Sequence, residues 1–151
     1  MSNSPSVAVL LAAYNGMEWI EEQVSSILSQ KSISIEIFIS VDLSNDKTHE
    51  WCQGLAGKNA HVKVLPYGEK FGGAAKNFFR LIRDVDFSCF DYVALSDQDD
   101  IWDSSKLHHA IRTIEQDSLD GYSSDVIAFW SNGREKLVKK SFPQKKFDYF
   151  F

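Results

Sequence analysis

Three carboxylates come directly after one apolar run in this sequence, a position suited to a cation. Asp97, Asp99 and Asp100 follow the run 92–95, and short apolar runs of this kind are buried on both faces of parallel sheets. If the chain stays extended, Asp97 and Asp99 point the same way, and at ~5 Å their charges repel by roughly 3 kcal/mol at an effective dielectric of 20. A hard divalent cation relieves this repulsion, and carboxylate oxygens suit Mg²⁺ or Mn²⁺. We therefore predict a metal site at Asp97 and Asp99; the alternative is a solvated acidic loop.

Three further predicted strand ends also hold polar or special residues. They are Tyr14, Asp42, and the pair Gly72 and Gly73 with Lys76 just beyond. Open α/β sheets bind ligands at the carboxyl ends of their strands, so these residues are expected to share one edge. Tyr14 can stack on a base, Asp42 can accept a hydrogen bond from a base or ribose, and Lys76 adds positive charge. With a metal, this set predicts a site for a nucleoside diphosphate.

The elements that must position these residues alternate along the chain. Strand patterns lie at 7–12, 35–41, 62–65, 91–96 and 125–130, and helical patterns lie at 18–28, 48–55, 74–83 and about 104–114. This alternation is typical of an α/β fold, a mostly parallel sheet with helices on both faces, that is, an α/β/α sandwich. The run 125–130 is then the last strand of the sheet.

Helical periodicity also predicts which side chains face the core. On this pattern Leu28, Phe78, Leu81 and Ile82 point inward, and Ser104 is the N-cap of the last helix. At 151 residues the chain has room for a single domain with a core, residues 1–151, in which the polar start 1–6 is expected to be disordered.

Composition argues against several functional classes. A formal charge of −5 and a pI near 5.3 disfavour a nucleic-acid surface, which needs a basic face. No apolar run approaches the length of a transmembrane helix, and the polar start lacks the apolar core of a signal peptide, which predicts a cytoplasmic protein. Cys52 and Cys89 show no metal or redox spacing, as expected of reduced thiols.

The aromatic ending 147–151 predicts burial in a core or a homodimer contact through this tail.

Four segments resemble motifs of one known family, the inverting family 2 glycosyltransferases, and within it the bacterial rhamnosyltransferase-like members. The segments are 9–16, 40–48, 72–78 and 95–102. Val41 and Leu43 depart from the usual acidic residue and glycine of the second motif. The resemblance implies a GT-A type nucleotide-binding fold, truncated at its C-terminal side. In that fold Ala12, Tyr14 and Asp42 would line the base pocket, Lys76 would lie beside the nucleotide, Asp97 would approach ribose or metal, and Asp99 would be the principal metal ligand.

The function that this resemblance implies is transfer of a sugar with inversion. The donor would be a nucleoside-diphosphate sugar, with rhamnose as one candidate sugar, and the acceptor a saccharide or lipid-linked saccharide. The full-length enzyme would be cytoplasmic or peripheral at the inner membrane face, and would need Mg²⁺ or Mn²⁺. The family's catalytic base lies in a later segment, so the catalytic residue is unknown and we expect this chain to be the donor-binding half.

Two alternatives remain at this point. One is a non-catalytic nucleotide-binding remnant or module. The other is a Mg²⁺-dependent nucleotidyl or phosphoryl transferase, against which stands the lack of a G-x-x-x-x-G-K-[ST] segment after the first strand.

Overall fold

The computed structural model describes residues 4–139. Two compact units divide after His108, and each is described by itself below. No helix in the described part is long and apolar enough to cross a bilayer. The aromatic ending 147–151, where we predicted a dimer contact, lies outside the described residues. The elements are β1 (Ser6–Ala13), α1 (Ile20–Leu28), β2 (Ser34–Val41), α2 (Thr48–Ala56), β3 (Val62–Val64), α3 (Ala74–Asp84), β4 (Tyr92–Ser96), α4 (Lys106–Asp117), β5 (Val126–Phe129) and β6 (Glu135–Val138).

The first unit is built on a parallel sheet of four strands in the order β3-β2-β1-β4. Leu10 in β1 lies opposite Phe38 in β2 and opposite Leu95 in β4. From Val7 onward every residue of β1 is buried, as expected of a strand that is covered on both faces in a parallel sheet. The predicted parallel sheet is confirmed.

Helices cover both faces of this sheet, as predicted. The even-numbered residues of β1 pack with α3, on which Leu81 is fully buried. On α1, the Gln23 amide lies 2.6 Å from the Ser96 hydroxyl, and Ser96 is opposite Leu11 of β1. Because successive strand residues point to opposite faces, α1 lies over the face opposite to α3.

In the second unit, the last predicted strand has a different partner from the one expected. We placed it in the parallel sheet, whereas β5 pairs antiparallel with β6 in a separate two-stranded sheet, with Val126 opposite Val138. The cause is the short turn between them. Gly133 adopts a φ of 80° and its N–H donates to the Trp130 carbonyl, so the chain returns at once, whereas a parallel neighbour would need a long crossover.

Two side chains differ from the helical pattern. Leu28 and Ile82 are 37% and 45% exposed, so their predicted inward orientation is wrong, while Leu81 and Phe78 do pack on the core. The buried positions of α3 are Asn77, Arg80 and Leu81, so its inner face is centred on these residues and Ile82 lies away from it.

Three local details of the first unit remain, one at the chain start, one before α4 and one within α2. Ser6 was expected to be disordered, but it begins β1 and its N–H donates to the Asp91 carboxylate at 2.8 Å. Before α4, the Asp103 carboxylate, rather than the predicted Ser104, accepts the Ser105 N–H at 2.8 Å. Cys52 on α2 is fully buried; burial, reinforced by the nearby Asp46 charge, raises the pKa of its thiol to about 12.

Candidate functional site

A pocket of about 530 Å³ opens at the carboxyl ends of β1, β2 and β4. The chain builds β2 and β3 on one side of β1 and then crosses to place β4 on the other, so this edge is the switch point at which open α/β sheets bind ligands. Most of the predicted site residues line the pocket, namely Ala12, Tyr14, Asp42, Asp97 and Asp99. Lys76 does not; it is exposed on the first turn of α3, and the lysine that lines the pocket is Lys70.

Asp42, the residue after β2, is 4% exposed and holds the glycine loop (residues 68–73) in place. Its Oδ1 accepts the N–H groups of Leu43 and Phe71, both at 2.7 Å, and its Oδ2 accepts the N–H of Gly72 at 2.8 Å. Burial by itself raises the pKa of Asp42, but these backbone donors and that of Gly73 keep it below its ordinary value of 3.8. Asp42 is therefore a carboxylate at neutral pH, and it organises the loop as well as lining the pocket.

The glycine loop ends in two residues with left-handed backbone conformations. Gly72 has a φ of 75° and Gly73 a φ of 152°, which a residue with a Cβ adopts only under strain. Both line the pocket together with Ala74, the first residue of α3. The positive end of the α3 dipole therefore opens into the pocket, and no acidic residue lies in the first turn of the helix to oppose an anion there.

The floor under this loop is a buried polar network that the sequence pattern did not predict. Asn77 on α3 is 2% exposed and its amide donates to the carbonyls of Ala13 at 3.3 Å and Ser40 at 3.0 Å. Arg80, also buried, donates to the Ser40 hydroxyl at 3.1 Å and lies over the Phe71 ring at 4.9 Å. The signal available in the sequence was the spacing of Asn77 and Arg80 by three, which puts them on one helix face.

The acidic loop (residues 97–100) is joined by one side chain to the loop after β1 (residues 14–17), which we call the nucleotide loop after the family segment that it resembles. Gln98 accepts the Tyr14 N–H at 2.7 Å through Oε1 and donates to the Tyr14 carbonyl at 2.8 Å through Nε2. Tyr14 remains 55% exposed. β4 ends at Ser96 and the chain bends at Gln98 and Asp99, so the extended path on which we paired Asp97 with Asp99 does not occur, although both residues line the pocket.

The far side of the nucleotide loop is tied to the start of α2. The Gly16 N–H donates to Thr48 Oγ1 at 2.7 Å. The Asp46 carboxylate accepts the N–H groups of Thr48 at 2.9 Å and Met17 at 3.2 Å. Burial by itself raises the pKa of Asp46, but the hydroxyl and N–H of Thr48 and the Met17 N–H hold it below its ordinary range. The nucleotide loop is thus contacted from two sides, by Gln98 and by the start of α2.

At the pocket, the described residues offer a metal ion two exposed carboxylates rather than a complete set of ligands. Within residues 4–139, no group of three or more His, Cys, Asp or Glu side chains is arranged to hold a metal ion. Asp97 and Asp99 are exposed at the pocket. Two carboxylates of this kind make a cation site only when other oxygens complete it.

Comparison with known proteins identifies the family. Residues 8–150 match Glycosyl transferase family 2. The chain belongs to this family. It is 49% identical over 142 residues to the dTDP-rhamnosyl transferase RfbG of Shigella flexneri, a match that covers 93% of this chain and 49% of that protein. This member of family 2 thus spans about half the length of that relative.

Solved structures of low sequence identity share the fold. Staphylococcus aureus TarS 1-349 in complex with UDP-GlcNAc aligns with a TM-score of 0.61 at 22% identity, covering 74% of this chain and 31% of that one. The mannosyltransferase PcManGT of Pyrobaculum calidifontis, in complex with GDP-Man and Mn²⁺, aligns with a TM-score of 0.60 at 21% identity, covering 72% and 32%. The fold is that of GT-A glycosyltransferases, as the sequence resemblance implied.

Proposed function

We propose that this chain is the donor-binding part of an enzyme that transfers rhamnose from dTDP-rhamnose to a saccharide or lipid-linked saccharide acceptor with inversion. The observation that supports it is the pocket at the sheet's switch point, which joins an exposed aromatic ring, an anion-favouring glycine loop and two carboxylates. The choice of sugar and base rests on the dTDP-rhamnosyl transferase to which the chain is 49% identical.

The pocket divides into regions of different chemistry. Tyr14 presents a ring on which a base can stack. The glycine loop, the start of α3 and the lysine Lys70 supply the positive potential that suits a diphosphate. Lys76 is exposed on the first turn of α3 and does not line the pocket, so we propose for it only a longer-range positive charge toward the nucleotide. Asp97 and Asp99 face the same space and add negative charge, which a diphosphate tolerates only with a cation between them.

A divalent cation fits this donor set. Hard carboxylate oxygens suit Mg²⁺ or Mn²⁺, and Mg²⁺ is commonly bound by one or two carboxylates together with substrate phosphates. We assign Asp99 and Asp97 as the protein ligands, with Asp97 also able to approach the ribose. When bound, the cation would neutralise the charge of the leaving nucleoside diphosphate.

The described residues then bind and orient the donor. The base is held at the Tyr14 side and the diphosphate at the glycine loop, so the anomeric carbon is presented to an acceptor hydroxyl that attacks from the opposite side. A general base must take the proton of that hydroxyl, and we assign it to no residue of this chain. A charged sugar nucleotide is a water-soluble donor, which supports a place in the cytoplasm or at the inner face of the membrane.

Calorimetric titration of the chain with dTDP, UDP and GDP, each with and without Mn²⁺, tests this function. We expect dTDP to bind most tightly, and only in the presence of Mn²⁺ with a Kd in the micromolar range, about −8 kcal/mol. Binding of none of the three, or equal binding with and without the cation, would overturn the proposal.

A further inference from the structure

The side chain between the two carboxylates that we assign to the cation has contacts that neither a metal site nor a solvated loop requires. Gln98 uses both ends of its amide on the backbone of one residue, accepting the Tyr14 N–H at 2.7 Å and donating to the Tyr14 carbonyl at 2.8 Å. We call this pair of hydrogen bonds the Gln98 bridge. It joins residues 84 positions apart, and it leaves the Tyr14 ring exposed beside the pocket.

Gly16 provides a second, independent observation of the same contact. A Cβ on Gly16 would lie 2.3 Å from Gln98 Oε1 and 2.8 Å from Gln98 Cδ. The nucleotide loop therefore has a glycine where the Gln98 side chain approaches the backbone. The φ angle of Gly16 is not in the left-handed region, so room for Gln98, rather than backbone conformation, is what glycine supplies here.

We propose that Gln98 is a positioning residue that makes cation binding at the acidic loop and base binding at the nucleotide loop cooperative. This rests on the proposed function. Asp97 and Asp99 flank Gln98, so a cation that orders their loop also orders the Gln98 amide, and through it the Tyr14 backbone. Two sites that favour the same loop arrangement strengthen each other's binding by the same factor.

Hydrogen exchange in the ligand-free chain tests the bridge without any nucleotide. Gln98→Ala removes both hydrogen bonds, and we expect the Tyr14 amide to exchange at least about fivefold faster, the equivalent of one ordinary hydrogen bond. The Asp42 amide, which donates to the Ala13 carbonyl at 2.8 Å, should be unaffected. Gln116→Ala, a change of the same residue type on the exposed side of α4, is the matched control.

A double-mutant cycle separates the bridge from general damage to the loop. Gly16→Ala should displace Gln98 and speed Tyr14 exchange as Gln98→Ala does. In the double variant the added Cβ has no glutamine to displace, so we expect exchange no faster than in Gln98→Ala alone. Gly121→Ala, where a Cβ meets no atom within 4 Å, controls for the glycine change. Additive effects of Gly16→Ala and Gln98→Ala would overturn the bridge.

Cooperativity is measured with thymidine, which has no phosphate through which to contact the cation. Any effect of Mn²⁺ on thymidine affinity then passes through the protein. In NMR titrations we expect Mg²⁺, a diamagnetic substitute for Mn²⁺, to tighten thymidine binding about fivefold in the wild type, at the low end of usual coupling factors, and not at all in Gln98→Ala.

These experiments distinguish failure of the cooperative role of Gln98 from failure of the proposed function. A purely structural role for Gln98 would weaken thymidine binding equally with and without the cation, and that result would overturn the cooperative role. If the wild-type chain binds neither dTDP nor thymidine, the proposed function fails and the cooperative role fails with it, while the exchange experiments still decide whether the Gln98 bridge exists.

Discussion

Replacement of Asp42 by asparagine tests whether this carboxylate organises the glycine loop. Asparagine keeps the shape and one acceptor oxygen, which can still serve Leu43 and Phe71. Its NH₂ group, however, must then face the Gly72 N–H, which the Oδ2 atom of Asp42 accepts at 2.8 Å. The hydrogen bond from the Gly72 N–H is lost, and two N–H donors, those of Gly72 and of the asparagine amide, then face each other.

The expected cost follows from the number and type of these bonds. A hydrogen bond to a charged group contributes roughly 1.5–3 kcal/mol, and a neutral one about half as much. Loss of the Gly72 bond and halving of the other two would together cost about 3 kcal/mol at the low end of that range. Because the pocket admits water to the vacated N–H group, we expect Asp42→Asn to lower the free energy of unfolding by about 2 kcal/mol.

The pH dependence of the same variant supplies a second measurement. The pKa of Asp42 in the folded chain lies below its ordinary value of 3.8, so the charged form stabilises the fold above that value. This stabilisation is lost as the pH falls through the folded pKa. Asparagine does not titrate. The difference between wild type and Asp42→Asn should therefore be constant from about pH 7 to pH 5 and shrink below about pH 3.8.

Urea unfolding of both proteins across this pH range is the assay. Asp120→Asn removes the same charge from an exposed loop and should change the free energy of unfolding by less than about 0.5 kcal/mol. An Asp42→Asn protein as stable as wild type at pH 7, or a difference that persists unchanged at pH 3, would refute the role of Asp42 in holding the loop.

Three further predictions concern the ligands. Asp99→Asn should abolish Mn²⁺-dependent dTDP binding with little change in Tm, because the amide keeps the shape but loses the charge; unchanged affinity in calorimetry would contradict the metal assignment. Tyr14→Ala should weaken dTDP binding by about 1 kcal/mol, taking aromatic pairs as the guide, and leave rhamnose 1-phosphate binding unaltered; equal losses for both ligands would show that the ring does not face the base. The purified chain should bind donor without transferring sugar to saccharide acceptors, since base catalysis contributes roughly 10²–10⁴-fold; robust transfer would show that a base lies within it.

Much of the fold was predictable because its strands are short, apolar and separated by amphipathic helices. The parallel sheet and its helices on both faces follow from that alternation, and the placement of Asp97, Asp99, Tyr14 and Asp42 along one edge follows from the sheet. The hairpin of β5 and β6 was not predicted, because a run such as 125–130 has the same apolar pattern in a parallel or an antiparallel strand.

The polar contacts within the site were beyond prediction for a different reason. Asn77 and Arg80 occupy the inner face of α3 because their hydrogen bonds to β2 and the loops are satisfied there, and periodicity of apolar residues cannot register buried polar groups. In the same way, Asp42 and Gln98 are individually ordinary polar residues. Their partners, Gly72 and Tyr14, are distant in the sequence and become neighbours only through the fold.

The separation of Tyr14 and Gln98 by 84 residues has a consequence for how the protein is made. While the chain is being synthesised, β1, β2 and β3 are complete well before β4, so the nascent protein has three strands of its sheet and half of its pocket. Contacts between distant residues form late and slowly. A ligand that needs both halves of the pocket can therefore stabilise the newborn chain only after β4 has joined the sheet, and ligand-dependent protease resistance would report completion of this step.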